Sequence, residues 1–149
     1  MKPPIRIVLD TNVLVSGLLN RASLPGSILN YIVAGVLTTV MEPRLMDEYQ
    51  RVLARPRLHI PVAEAGQILL FIATHGDWII PLPLMPEPGF IPDPSDLPFA
   101  EAAVTGCVQA LVTGNPRHFS FLAAYDIQVF TPTEFLDWLN LTLQNSHRL

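Results

Sequence analysis

Short apolar segments alternate with longer helical segments along most of this chain, and this alternation constrains the fold more than any other feature. The first short segment, Ile5–Leu9, is rich in β-branched residues, and others occupy residues 36–41, 78–80, 110–113 and 127–130. Strands that alternate with helices favour a parallel sheet, because each parallel connection is long enough to hold a helix. Half of the residues are hydrophobic, as expected where helices cover both faces of a sheet. The sequence therefore predicts an α/β fold in three layers, α/β/α, around a five-stranded parallel sheet.

The helical segments carry recognisable start and stop signals. They begin at capping residues or at prolines suited to a first helical turn, and several end at glycine. The predicted helices run from Ser23 to Gly35, from Pro43 to Leu53, from Pro61 to Gly76, from Asp96 to Gly106, and onward from Pro132. Seven of the 15 prolines lie between Pro81 and Pro98, and this density excludes a helix or a central strand. We expect an extended surface connection there.

Length and composition limit the class of protein. A chain of 149 residues without an internal repeat or linker predicts one domain over residues 1–149. Its first residues lack the apolar core of a signal peptide, and no stretch reaches the roughly 20 apolar residues of a membrane helix. The single cysteine, Cys107, excludes an intrachain disulfide and a cysteine zinc cluster. We therefore expect a cytoplasmic protein that does not enter a membrane.

The charge balance is acidic, but the positive charges are clustered. The net charge of −4 gives no global positive field that would attract nucleic acid. Four of the eight arginines, Arg44, Arg51, Arg55 and Arg57, nevertheless lie in one short segment. That segment is able to meet phosphates locally.

Three oxygen-bearing side chains follow directly after the first predicted strand. Asp10, Thr11 and Asn12 stand at the carboxyl end of Ile5–Leu9. In open α/β sheets, ligand sites form outside the carboxyl ends of strands. A structural alternative remains open, because Asp10 or Thr11 is also suited to capping a following turn.

Other polar residues have structural alternatives when each is considered alone. Glu48 is suited to a solvated pair with a neighbouring arginine on a helix. Asp96 is placed to cap a helix and Asp93 to form a turn before a proline. Asn115 suits a left-handed turn, and for His118 we favour packing in a loop or contact with solvent.

Four segments, taken in order, resemble PIN-domain proteins. They are IVLDTNVLVSG at residues 7–17, EYQRVLARP at 48–56, DPSDLPF at 93–99 and ALVTGNPRHF at 110–119. The sequence looks like the branch identified as toxin components of bacterial toxin–antitoxin pairs, similar to VapC-type ribonucleases. The resemblance implies a five-stranded parallel sheet in the order 3-2-1-4-5, with an acidic pocket at one end.

The resemblance also assigns site residues by position. Asp10, Glu48 and Asp96 match the acidic residues that bind metal and carry catalysis in the family. Asn115 stands where many members have a fourth acid, and an amide brings no negative charge to a second metal. Asp93, or the carbonyl of Asn115, would partly compensate.

Physical reasoning supports a metal at such a site. Converging carboxylates repel one another unless a cation lies between them. Mg²⁺ or Mn²⁺, as one or two ions, prefers hard oxygen ligands and activates water for phosphodiester hydrolysis. Thr11, Asn12 and Thr113 would hold the carboxylates by hydrogen bonds. Arg51, Arg55 and Arg117 are candidates for phosphate contacts, with an exposed surface role as the alternative.

The leading prediction is a metal-dependent endoribonuclease that acts on RNA as the toxin of a bacterial toxin–antitoxin pair. Its expected partners are RNA, a cognate antitoxin protein and a second copy in a homodimer. The alternative is a catalytically weakened PIN module that binds RNA or a protein partner, which Asn115 and the acidic net charge favour. A phosphotransfer enzyme of the haloacid-dehalogenase kind, with Asp10 as nucleophile, is disfavoured because Asn12 stands where that chemistry needs a second aspartate.

Overall fold

A five-stranded parallel sheet forms the centre of this computed structural model, which describes residues 2–85 and 93–146. The strands are β1 (Ile5–Leu9), β2 (Leu37–Met41), β3 (Asp77–Trp78), β4 (Ala110–Val112) and β5 (Gln128–Phe130). Their order is β3-β2-β1-β4-β5, and every pairing is parallel. The predicted fold class and strand order are confirmed.

Helices cover both faces of the sheet in a three-layer α/β/α arrangement. The described helices are α1 (Thr11–Leu19), α2 (Leu24–Val33), α3 (Pro43–Leu53), α4 (Val62–His75), α5 (Leu97–Thr105) and α6 (Pro132–Ser146). Short 3₁₀ helices follow α3, at Pro56–Leu58, and β4, at Pro116–Tyr125.

Strand β1 lies at the centre of the sheet, and its last three side chains are apolar on both faces. Successive residues of a strand point to opposite faces, and Ile7, Val8 and Leu9 are all fully buried. Leu9 pairs with Val112 at the end of β4. The residues that follow β1 and those that follow β4 therefore lie side by side, at the carboxyl end of the sheet.

Three elements were absent from the sequence-based expectation. The helix α1 begins immediately after β1, where only a capped turn was expected. Its β-branched residues Val13 and Val15 have a weak propensity against a helix. The others are the 3₁₀ helices Pro56–Leu58 and Pro116–Tyr125, for which no element was expected. Burial of the α1 side chains Val13 and Leu14 in the core outweighs the weak propensity against a helix.

The proline-rich connection is described only at its two ends. Its expected extended form over residues 86–92 lies outside the described residues. Before that gap, Leu82 and Leu84 donate backbone hydrogen bonds to side chains of α5. Pro98 lies in the first turn of α5, where a proline removes no helical hydrogen bond.

Two broader expectations concern the whole chain. A single domain over residues 1–149 stays a prediction. Within residues 2–85 and 93–146, no helix combines the length and the apolar character needed to cross a bilayer.

Candidate functional site

An open pocket of about 490 Å³ lies at the carboxyl ends of the neighbouring strands β1 and β4. The three predicted catalytic acids, Asp10, Glu48 and Asp96, all line it. Asp93 and Asn115, the two further predicted ligands, line it as well. Residues that are far apart in the sequence therefore meet in one place.

Asp10 both caps α1 and faces the pocket. Its Oδ1 accepts a hydrogen bond from the backbone N–H of Thr11 at 2.8 Å. Its Oδ2 accepts one from the hydroxyl of Thr113 at 2.7 Å. Burial raises the pKa of Asp10 above its ordinary value despite these two bonds, and the charges of Asp96 and Glu48 raise it further. The capping role and the site role therefore coexist in one carboxylate.

Glu48 is brought to Asp10 by the packing of α3 against β1. The neighbouring Tyr49 is fully buried and donates its hydroxyl hydrogen to the carbonyl of Leu9. The hydroxyl of Thr11 donates to Glu48 Oε2 at 2.6 Å. The predicted surface pair exists only weakly, since Arg51 lies 3.4 Å from Glu48 Oε1. Glu48 is thus held by α1 as well as by its own helix.

Asp96 precedes α5, yet its side chain makes no capping hydrogen bond among the described residues. Its Oδ2 is buried, and no described group donates a hydrogen bond to it. His118 Nδ1 stands 3.2 Å from this oxygen, at the distance of an ion pair but without the alignment of a hydrogen bond. Burial raises the pKa of Asp96, the charge of Asp93 adds to this rise, and His118 opposes it. The structural alternative of a capping aspartate does not account for this carboxylate.

Asp93 and Asn115 occupy the rim of the pocket. Asp93 Oδ1 accepts hydrogen bonds from the backbone N–H and the hydroxyl of Ser95, at 2.9 and 2.8 Å. These bonds lower the pKa of Asp93, and they are typical of the turn former suggested by its position before a proline. Asn115 donates its backbone N–H to the hydroxyl of Thr113 at 3.0 Å, so its position is coupled to that of Asp10.

The three predicted supporting residues divide into two kinds. Thr11 and Thr113 donate directly to carboxylates of the pocket. Asn12 instead accepts a hydrogen bond from the backbone N–H of Gly114 at 3.1 Å. It therefore secures the loop that carries Asn115 rather than a carboxylate.

The arginines of the pocket lie along one wall. Arg51, Arg55 and Arg57 line it from the carboxyl half of α3 and the 3₁₀ helix that follows. Neither Arg55 nor Arg57 forms an ion pair with any described residue. Arg117 is exposed beside Asn115 but does not belong to the lining. Positive charge is therefore available on the α3 side of the acidic groups.

The donor atoms of the pocket suit a divalent cation, although they do not form a closed metal centre. Within the two described ranges, no group of three His, Cys, Asp or Glu side chains is arranged to hold a metal ion. The chemistry of the donors nevertheless fits, because carboxylate oxygens are the ligands that Mg²⁺ and Mn²⁺ prefer. Oδ2 of Asp96 accepts no hydrogen bond from a described group, and burial together with neighbouring carboxylates raises the pKa values of Asp10 and Asp96. A cation between these groups would stabilise their charged forms.

Sequence reasoning missed one contact and undervalued another residue. His118, for which packing or solvent contact was favoured, faces Asp96 from the 3₁₀ helix Pro116–Tyr125. Arg57 was noted only as part of a basic segment, and it lines the pocket. The spacing of His118, three residues after Asn115, was the available signal, since one turn of a 3₁₀ helix spans three residues.

Comparison with known proteins agrees with this geometry. A family model described as the PIN domain matches residues 6–117, which is most of the chain and includes every acidic residue of the pocket. No curated protein sequence matches the chain. The chain therefore belongs to the PIN domain family, whose members are generally metal-dependent nucleases.

Proposed function

We propose that this protein is a metal-dependent endoribonuclease that hydrolyses phosphodiester bonds in RNA. One observation carries the proposal. Asp10, Glu48 and Asp96 line a single pocket, and the pKa values of two of them are raised by burial and by mutual repulsion. A bound cation would stabilise such a cluster by reducing the repulsion between its carboxylates. A bound metal ion would also supply the activated water that phosphodiester hydrolysis at neutral pH requires.

Each residue has a proposed role. Asp10 and Asp96 would hold Mg²⁺ or Mn²⁺, as one or two ions, and Glu48 would bind the ion or orient the attacking water. Such an ion supplies an activated water and stabilises the charge that develops on the phosphoryl oxygens. Asp93 and Asn115 are the candidates for additional ligands on the rim.

The hydroxyl groups orient the acids. Thr113 donates to Asp10 and Thr11 donates to Glu48, and both bonds favour the charged carboxylates that a cation needs. A phosphate of the RNA would be held by Arg51 and Arg55 on the α3 wall. Arg117 remains a candidate for a more distant phosphate, because it is exposed outside the lining.

We further propose that the enzyme is a cytoplasmic toxin, dimerises and is silenced by a cognate antitoxin. The support is the resemblance of its motifs to toxin components together with several apolar side chains that face solvent. Ile80 and Met85 are 88% and 85% exposed. A protein partner that covers them would remove apolar surface from water.

The test of the enzyme is cleavage of mixed RNA by the purified chain with Mn²⁺ or with EDTA. Asp10→Asn keeps the size of the side chain but removes a charge from the pocket. We expect cleavage only with Mn²⁺, and a loss of about a hundredfold or more in Asp10→Asn. The matched control is Asp47→Asn, which removes an exposed charge from α3 beside the pocket. Equal cleavage by wild type and Asp10→Asn would contradict the proposal and indicate a contaminating nuclease.

A second candidate function is a PIN module that binds RNA or a protein partner without cleaving. Asn115 favours it, because an amide replaces an acid of the family pattern. The same assay separates the two functions. RNA binding without metal-dependent cleavage, together with cleavage gained in Asn115→Asp, would identify the weakened module.

A further inference from the structure

A second pocket of about 450 Å³ lies next to the acidic one, on the other side of the carboxyl end of α3. It opens between α3, the 3₁₀ helix Pro56–Leu58 and α4. Its walls are mainly apolar, and a few polar side chains stand among them. The apolar walls include Leu53, Ile60 and Leu69, and the polar side chains are those of Gln50, Arg55 and His59.

The lining of this pocket includes a glycine inside α4. Gly66 lines it, four residues after the helix begins, and a Cβ built at this position would meet nothing within 4 Å. Glycine in a helix interior is unfavourable relative to alanine. No close packing of backbone requires a glycine here, since the space beyond it is open. The chain thus keeps a residue that is unfavourable in a helix at an exposed position of the lining, where a larger side chain has room.

The two pockets are joined along one basic wall. Arg55 lines both of them, and Arg51 and Arg57 line the acidic pocket on the same side. A polyanion bound at the acidic pocket is attracted by these arginines and repelled by lining carboxylates such as those of Asp93 and Asp96. A single-stranded polyanion that follows these arginines would reach the second pocket, because Arg55 lines both pockets.

We propose that the second pocket binds one nucleobase of the single-stranded RNA substrate, away from the scissile phosphate. This inference rests on the proposed function. Single-stranded RNA is recognised through splayed bases that stack on side chains and form hydrogen bonds along their edges. The apolar walls accept the faces of a base, and Gln50 and His59 offer hydrogen bonds to its edge. Arg55, between the pockets, holds the intervening phosphate or stacks on the base.

The conformation of His59 fits this role. Its backbone is left-handed, with φ of 54°, a conformation that is uncommon for residues other than glycine. His59 is exposed rather than packed in the core. This residue ends the 3₁₀ helix Pro56–Leu58 and leaves an exposed polar ring in the lining of the pocket.

The test fills the pocket without disturbing the acidic site. Gly66→Leu places an apolar side chain in the open space and raises helix propensity, so its melting temperature should equal or exceed that of wild type. Gln67→Leu is the matched control, since Gln67 is the exposed neighbour on α4 outside the pocket. The probes are a fluorescent oligoribonucleotide and a version of the same length whose bases are absent. Binding is measured by anisotropy in EDTA, so that no cleavage occurs.

Wild type should bind the intact probe about tenfold more tightly than the abasic probe, because stacking of one base contributes on this scale. The ratio should approach one in Gly66→Leu and stay near the wild-type value in Gln67→Leu. An unchanged ratio in Gly66→Leu, or a ratio near one in wild type, overturns the inference. The pocket would then be assigned to a protein partner instead.

The binding assay and the cleavage assay fail independently. A protein that cleaves RNA with Mn²⁺ but does not distinguish the probes retains the proposed function and loses the base pocket. A protein that distinguishes the probes but never cleaves retains the base pocket and loses the nuclease.

Discussion

At the scale of single residues, Asp96 is the least satisfied group of the site. Its Oδ2 is buried without a hydrogen-bond donor among the described residues, and burial raises its pKa. A buried charged acceptor without a partner destabilises the folded state. We expect Asp96→Asn to raise the free energy of unfolding in EDTA by about 1 kcal/mol, measured by urea denaturation at neutral pH.

The pH dependence of this effect has a definite sign. A carboxylate whose folded pKa is raised stabilises the fold below its unfolded pKa, and this contribution is lost as pH rises through the folded pKa. The advantage of Asp96→Asn in EDTA should therefore be small in acid and grow toward neutral pH. Mg²⁺ should reverse the order, because it stabilises wild type more. A variant that unfolds more easily than wild type in EDTA would contradict this expectation and show that the carboxylate of Asp96 stabilises the fold.

The site was predictable from the sequence as far as residue types carry chemistry. The resemblance of four motifs to PIN-domain proteins was enough to expect Asp10, Glu48 and Asp96 in a common pocket, and these three residues line one pocket. The contact of His118 with Asp96 was not, because it depends on a 3₁₀ helix whose sequence has no regular apolar period. The bond between Asn12 and Gly114 depends likewise on the path of a loop between two adjacent strands.

At the scale of elements, an ion network holds together the two helices that carry Glu48 and Asp96. Arg44, in the first turn of α3, donates to Glu42 Oε1 at 2.7 Å and to Glu101 Oε1 of α5 at 3.0 Å. Glu101 also accepts the backbone N–H of Leu84 at 2.8 Å, which anchors the proline-rich connection. Both glutamates are buried. The spacing of α3 and α5 is therefore fixed near the pocket by charge as well as by apolar packing.

We expect Glu101→Gln to lower the free energy of unfolding by about 2 kcal/mol, because an amide cannot satisfy both Arg44 and Leu84 as a carboxylate does. Urea denaturation measures the change. Glu64→Gln is the control, since Glu64 is exposed on α4 and forms no ion pair within the described ranges. Equal stability of the two variants would show that the network adds nothing to the fold.

Element boundaries were predictable where local signals and burial agree. The helix α3 (Pro43–Leu53) was predicted from its first-turn proline and its amphipathic face, and it has the expected bounds. Strand β3 was expected at residues 78–80 and is found at Asp77–Trp78, since at the edge of a sheet the only neighbouring strand, β2, sets the paired length. The helix α1 was missed because its β-branched residues favour a strand, and tertiary packing decides their conformation.

At the scale of the whole molecule, charge sets how this protein can meet RNA. The net charge of −4 opposes a polyanion at long range. The proposed association with RNA would then depend on the few arginines of the acidic pocket, Arg51, Arg55 and Arg57. This differs from proteins that bind nucleic acid through a broad basic surface, whose affinity falls steeply with salt.

The salt dependence of RNA binding tests this localisation. For single strands, the slope of log K against log salt is about −0.7 for each phosphate neutralised, so three arginines predict a slope of about −2. Anisotropy titrations in EDTA over a range of KCl concentrations measure it. Replacing all three arginines by glutamine should bring the slope close to zero. The control Arg21→Gln should leave the slope unchanged, because the guanidinium of Arg21 donates to Asn30 and does not line the acidic pocket. A much steeper slope in wild type, or one that persists in the triple variant, would mean that RNA binds a different face, and the acidic pocket would then lack the neighbouring phosphate contacts that its chemistry needs.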